Sequence, residues 1–169
     1  MTTTETPELR CISALETRPL RQAVLRPHQA LEELAFPGDD APDTAHLGLY
    51  LEGKLIGIVS LYREAMPGCE DFSVAWRLRG MAVEPTYRNR GYGAILLQAC
   101  YAQIQQHALT QASNGPVLFW CTARITARDF YERHGFQIRG EAFPLPDIGM
   151  HYYMFRMIDP AAKAAPGVA

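Results

Sequence analysis

Apolar and polar positions along this chain fall in short blocks whose period changes several times. Leu9 to Leu15 reads as a first strand, and Thr17 is placed to cap a short helix with Pro19 in its first turn and Leu20, Val24 and Leu25 on one face. Residues 36–44, Phe-Pro-Gly-Asp-Asp-Ala-Pro-Asp-Thr, are rich in breakers and read as loop. His46 to Leu51 and Leu55 to Leu61 then alternate as two strands of a hairpin closed at Glu52-Gly53-Lys54. Phe72 to Val83 reads as one long strand stopped by Pro85. From Ala94 to Ala108 the period switches to helical, with Leu96, Leu97, Cys100 and Ile104 on one face. Asn114-Gly115-Pro116 breaks the chain before a buried strand at 117–121. A second helix spans 124–134 and ends at Gly135, and Phe136 to Ala142 and Met150 to Ile158 supply two further strands. The expected result is a mixed α/β domain of about seven strands and three or four helices. Residues 8–159 form its single body, between loosely ordered ends at 1–7 and 160–169.

Composition narrows the classes. The chain has 169 residues, 48% hydrophobic and 20% charged, which suits one folded domain rather than a disordered segment. A net charge of −2 without any Lys/Arg stripe argues against nucleic acid as a partner. No apolar run reaches the roughly 20 residues that span a bilayer, and the polar start Met1 to Pro7 does not resemble a signal peptide, so the expectation is a cytoplasmic protein with no membrane partner. The four cysteines, Cys11, Cys69, Cys100 and Cys121, are scattered without a C-x-x-C pair, so they read as buried thiols and no metal is expected.

The chemically informative stretch runs from Met81 to Leu97. A strand enters a short turn, and Arg88-Asn89-Arg90-Gly91-Tyr92-Gly93 stands where the next helix begins. The first amides of a helix lack internal partners and lie at the positive end of its dipole. Glycine removes the side chain that would hold an anion away from them, and two arginines add charge, so the site suits a pyrophosphate. A dinucleotide fingerprint would need a third glycine where Leu96 stands and an acidic residue about twenty positions on. A P-loop would need Gly-Lys-Ser/Thr. Neither is present.

What remains, Arg-x-x-Gly-x-Gly, resembles the pyrophosphate signature of the GNAT superfamily of N-acetyltransferases. About thirty residues on, Ala127-Arg128-Asp129-Phe130-Tyr131-Glu132-Arg133-His134-Gly135-Phe136 resembles the block those enzymes carry after their fifth strand. The likeness covers roughly residues 45–158. Phe36-Pro37-Gly38-Asp39-Asp40, His46-Leu47-Gly48, Trp76 to Ala82 and Ile148-Gly149-Met150-His151 are similar to a bacterial GNAT subgroup with few assigned substrates. That subgroup commonly carries an asparagine after the fifth strand, where this chain has Thr122-Ala123-Arg124. The departure weakens one expected pantetheine contact.

The resemblance implies a GNAT-type fold, a central and mostly antiparallel sheet splayed between its fourth and fifth strands. It implies acetyl-CoA as donor, a small-molecule or peptide amine as acceptor, and direct attack of the amine on the thioester. Met81, Ala82 and Val83 would hold pantetheine through their backbones, Arg88 to Ala94 the pyrophosphate, and Thr122 and Phe130 the remaining cofactor contacts. Tyr131 matches the family tyrosine that protonates the leaving thiolate. Glu84 and His151 are two candidates for the base that takes the amine's proton, and His46 and His134 read as structural. Trp76, Phe72 and Tyr152 would line an acceptor pocket, and Asp39, Asp40 and Asp43 would attract a cationic acceptor. A homodimer is compatible with the family. The competing readings are a non-catalytic CoA-binding module acting as sensor or scaffold, and a Rossmann-type nucleotide binder disfavoured by the missing glycine.

Overall fold

The structure, a computed structural model, describes residues 5–112 and 115–160. Asn114 of the expected chain break and most of the two terminal segments, 1–7 and 160–169, lie outside the described residues. The strands are β1 (Glu8–Cys11), β2 (Ala45–Leu51), β3 (Lys54–Arg63), β4 (Ala75–Val83), β5 (Val117–Arg124), β6 (Gln137–Leu145) and β7 (Gly149–Ile158). The α-helices are α1 (Ala14–Leu20), α2 (Tyr92–Thr110) and α3 (Arg128–Arg133). The seven strands form a mixed sheet in the order β1-β2-β3-β4-β5-β7-β6, with β4 and β5 parallel. This is the mixed α/β class expected from the pattern. Among the described residues no helix is long and apolar enough to cross a membrane.

The chain divides into two compact units. The first takes the residues up to Arg63 together with Leu78–Tyr101. In it β2 and β3 pair antiparallel, Leu51 opposite Lys54, so the turn holds only Glu52 and Gly53. Gly57 on β3 lets α2 approach, because a Cβ there would stand 3.1 Å from the Leu96 side chain. Helix α1 starts earlier than its pattern suggests. Ser13, not Thr17, is the N-cap, and Ser13 and Glu16 form a reciprocal capping box. Thr17 lies buried inside the helix and donates its hydroxyl to the Ala14 carbonyl. Two orphan amides satisfied at once outweigh the single bond Thr17 could offer.

A buried polar network holds this unit together. Arg21, fully buried in a π-helical turn that continues α1, donates from both terminal nitrogens to Asp39 at 2.7 and 3.0 Å. The same guanidinium reaches the Leu34 carbonyl, Ser60 and Tyr62, and stacks 4.0 Å over Phe36. Tyr62 donates its hydroxyl to Asp39. His46 bonds Ser60 at 2.7 Å and the Asp39 carbonyl at 2.9 Å, so it is structural here. The loop aspartate read as bait for a cationic acceptor is therefore an internal partner, whereas Asp40 and Asp43 stay exposed. Sequence spacing could not show this, because Arg21 and Asp39 meet only after the intervening chain folds back.

The second unit takes Glu64–Arg77 and the residues from Ala102 on. Strand β5 runs antiparallel to β7 from Val117 opposite Ile158 to Arg124 opposite His151. Met66, Ala75, Leu118 and Trp120 form a buried cluster there, with Cys69, Tyr153 and Phe155 packed against it. Strand β4 begins at Ala75 and not at Phe72, because the turns through Gly68 and Cys69 occupy the preceding residues. Helix α3 follows a 3-10 turn at Ile125–Ala127 and is shorter than the expected 124–134. It ends as expected. Gly135 is left-handed (φ 85°), the Phe136 and Gly135 amides donate back to the Tyr131 and Glu132 carbonyls, and the Phe136 ring packs 5.3 Å from Tyr131.

Burial alone would raise the Asp39 carboxyl, but hydrogen bonds from Arg21, Tyr62 and the Phe36 amide outweigh it and hold the group at about 2. A folded-state value below the ordinary one of 3.8 contributes stability above that value. That contribution is lost as pH falls through 3.8 toward about 2, which acid titration of the unfolding midpoint will show. Asp39→Asn strands the buried Arg21 charge and is expected to cost about 3–5 kcal/mol in urea unfolding.

Candidate active site

The glycine loop lies wholly in the first unit. Beyond β4 the chain makes a 3-10 turn at Pro85–Tyr87, and Asn89 and Gly91 then take left-handed backbone (φ 61° and 81°) before α2 begins at Tyr92. Arg88, Asn89, Arg90 and Gly91 are exposed, and a Cβ on Gly91 would meet no atom within 4 Å. The Ile95 amide donates to the Gly91 carbonyl at 3.2 Å, so the amides of Tyr92, Gly93 and Ala94 precede the first bond of the helix. They begin a 19-residue helix behind an open, glycine-flanked turn. This is the local geometry of an anion site. Arg88 reaches back to donate to the Val83 carbonyl at 3.3 Å, which ties the loop to the end of β4. Met81 and Val83 are half-buried on that strand and Ala82 is buried.

Glu84, one of the two base candidates, follows β4 in the same unit. Lys54 donates to it at 2.9 Å and Thr86 at 3.2 Å. The Lys54 hydrogen bond leads in holding its carboxyl below the usual range, which makes it a weaker proton acceptor.

The second unit carries the other candidates. Tyr131 on α3 is 6% exposed, and Phe130 stacks edge-on against it, ring centroids 5.2 Å apart. The Tyr131 hydroxyl bonds the buried Cys121 thiol, whose pKa burial pushes up strongly against the opposing pull of Arg77 and Tyr131. Thr122 follows Cys121 on β5, half-buried, and accepts from Arg77 at 3.4 Å. His151 is 3% exposed and donates its Nδ1 proton to the Gly149 carbonyl at 2.8 Å, and it faces Arg124 on β5 and Phe143 on β6. Of the three aromatics expected around an acceptor, Trp76 is buried edge-on to His107 with centroids 5.0 Å apart. Phe72 sits at the surface ahead of β4, and Tyr152 is half-buried opposite Ala123. Cys100 and Cys121 are buried thiols, burial taking the former up to about 12, but Cys11 is exposed on the edge strand β1.

Sequence reasoning passed over Arg77. Its guanidinium stacks 4.8 Å over Trp120, contacts Glu64 at 3.0 Å and donates to the Thr122 hydroxyl at 3.4 Å. The signal was faint. Arginine at 77 and again at 79 marks one face of a strand whose other face is apolar.

Against this geometry the comparisons are consistent. Residues 42–138 match the family described as Acetyltransferase (GNAT) domain. The chain is 34% identical over 151 residues to the uncharacterised N-acetyltransferase YitI of Bacillus subtilis, covering 89% of this chain and 96% of that one. The chain belongs to the GNAT acetyltransferase family. Solved GNAT-fold structures agree. Escherichia coli ElaA superposes with a TM-score of 0.67 at 17% identity over 89% of this chain and 99% of that one. An aminoglycoside 6'-N-acetyltransferase complexed with coenzyme A gives 0.65 at 12% identity, over 92% and 99%. As a GNAT acetyltransferase, the chain has its family match running through β2 to β5, the glycine loop and the Tyr131 helix.

Gly91→Ala is expected to lower stability by about 1–2 kcal/mol, measured by thermal unfolding. The added methyl meets open space, so the cost is the left-handed backbone alone.

Proposed function

We propose that residues 8–159 act as one acyltransferase domain that moves an acetyl group from acetyl-CoA to a primary amine of a small molecule or peptide, in the cytoplasm. The observation that carries this reading is the exposed turn at residues 88–91 opening onto the amides that precede the first bond of a long helix. The CoA pyrophosphate binds there, with Arg88, Asn89 and Arg90 beside it and the amides from Gly91 to Ala94 as donors. The pantetheine arm takes backbone bonds from Met81, Ala82 and Val83 and side-chain contacts from Thr122 and Phe130. A CoA complex of an aminoglycoside acetyltransferase with the same fold supports that donor.

The reaction is direct. Neutral amine nitrogen attacks the thioester carbon, the carbon–sulfur bond breaks, and the Tyr131 hydroxyl gives the thiolate its proton. That hydroxyl has the buried Cys121 thiol as a partner. His151 and Glu84 are the two groups that could draw off the amine's proton, and Glu84 must first release Lys54.

Coenzyme A, and not NAD, is expected to raise the melting temperature in proportion to the logarithm of its concentration. Absence of any calorimetric binding heat with CoA would overturn the reading. Tyr131→Phe is expected to lower kcat by about 10²-fold or more, with KM for acetyl-CoA changed far less. Thiol release followed against a panel of amino acids, polyamines, aminoglycosides and peptide N-termini measures both.

A further inference from the structure

We infer that Glu64 receives the ammonium group of the acceptor, and that Arg77 positions it there. This rests on the acyltransferase reading and names the acceptor's charge. Glu64 follows β3, and its backbone is fixed at both ends. Its amide donates to the Ala75 carbonyl at 3.2 Å, and its carbonyl accepts from the Trp120 indole at 2.8 Å. The carboxylate is 44% exposed, while Arg77 beneath it is only 18% exposed. Both carboxylate oxygens rest on one nitrogen of Arg77, Nη1, at 3.0 and 3.3 Å. A two-nitrogen fork would have used up the oxygens' best directions, but this one-nitrogen contact leaves acceptor sites facing solvent.

The same guanidinium ties the carboxylate to a residue of the proposed donor site. Its other terminal nitrogen lies 3.4 Å from the hydroxyl of Thr122, the β5 side chain proposed to contact the pantetheine arm. A single guanidinium therefore links that side chain to an accessible carboxylate. Two of the carboxylates named from sequence already have partners. Asp39 is sealed inside the first unit by Arg21, and Glu84 is held by Lys54.

The chemistry balances. The acceptor enters as R-NH3+ with its charge on Glu64 and gives up one proton, through water, before attack. Glu64 binds and orients the ammonium, and the amine's proton leaves through water to the base. Neutral nitrogen forms the C–N bond, the C–S bond breaks, and a second proton leaves nitrogen as the amide forms. The thiolate gains a proton from Tyr131, the second proton from nitrogen restores Tyr131, and one proton is released overall.

The test is a matched pair of acceptors, an alkylamine protonated at the working pH and an aniline that is neutral there, assayed by thiol release. In Glu64→Gln, kcat/KM for the alkylamine is expected to fall roughly 10- to 100-fold while the aniline rate and CoA affinity stay as in the wild type. Glu64→Asp should keep most of the preference. Arg77→Met should raise KM for the alkylamine more than it lowers kcat, and Arg77→Lys should restore part of it. Equal effects on both acceptors, or none on either, overturn the role of Glu64 and leave the acyltransferase reading standing. A wild-type protein that binds no CoA, or releases no thiol with any amine, overturns both.

Discussion

Every helix must begin with amides that its own carbonyls cannot reach, and what a protein does with them is a choice made at the first turn. At α1 this chain spends side chains on the problem, closing the turn with Ser13 and Glu16. At α2 the residues before the helix include Gly91 in an open left-handed bend, and the amides of Tyr92, Gly93 and Ala94 lie ahead of the first helical bond. One helix start is closed by its own side chains, and the other opens on an exposed turn.

The ionic pairs are arranged by the same logic of access. Arg21 and Asp39 neutralise each other out of water, and the Ser60 and Tyr62 hydroxyls and the Leu34 carbonyl take further bonds from the pair. A buried pair of this kind costs much desolvation, so its worth lies in holding a π-helical turn, a loop and β3 in one arrangement. Lys54 and Glu84 lie nearer the surface, where pairing chiefly lowers the proton affinity of the carboxylate. Glu64 and Arg77 stand between these cases. The guanidinium is mostly covered and the carboxylate is not, and this asymmetry gives a fixed but accessible negative charge.

Much of the architecture could be read from period and punctuation. The hairpin of β2 and β3, the helix after the glycines, the buried run of β5 and the Gly135 stop each rest on interactions between residues close in sequence. The errors came where local signals competed. Thr17 is a fair cap, but Ser13 with Glu16 satisfies two amides to its one. Phe72 continues an apolar pattern that turns around Gly68 and Cys69 interrupt.

The linear order of residues was enough for the fold class, the glycine turn before α2 and the Tyr131 block, because each depends on neighbours within about one helical turn or one strand. The partners of charged groups needed the folded chain. Asp39 faces Arg21 across 18 positions, Glu84 faces Lys54 across 30, and Arg77 reaches Thr122 across 45. Electrostatic pairing depends on distance in space, which spacing along a chain does not encode. Which carboxylate is buried, which is neutralised and which remains open to a substrate therefore emerges only once the strands are side by side.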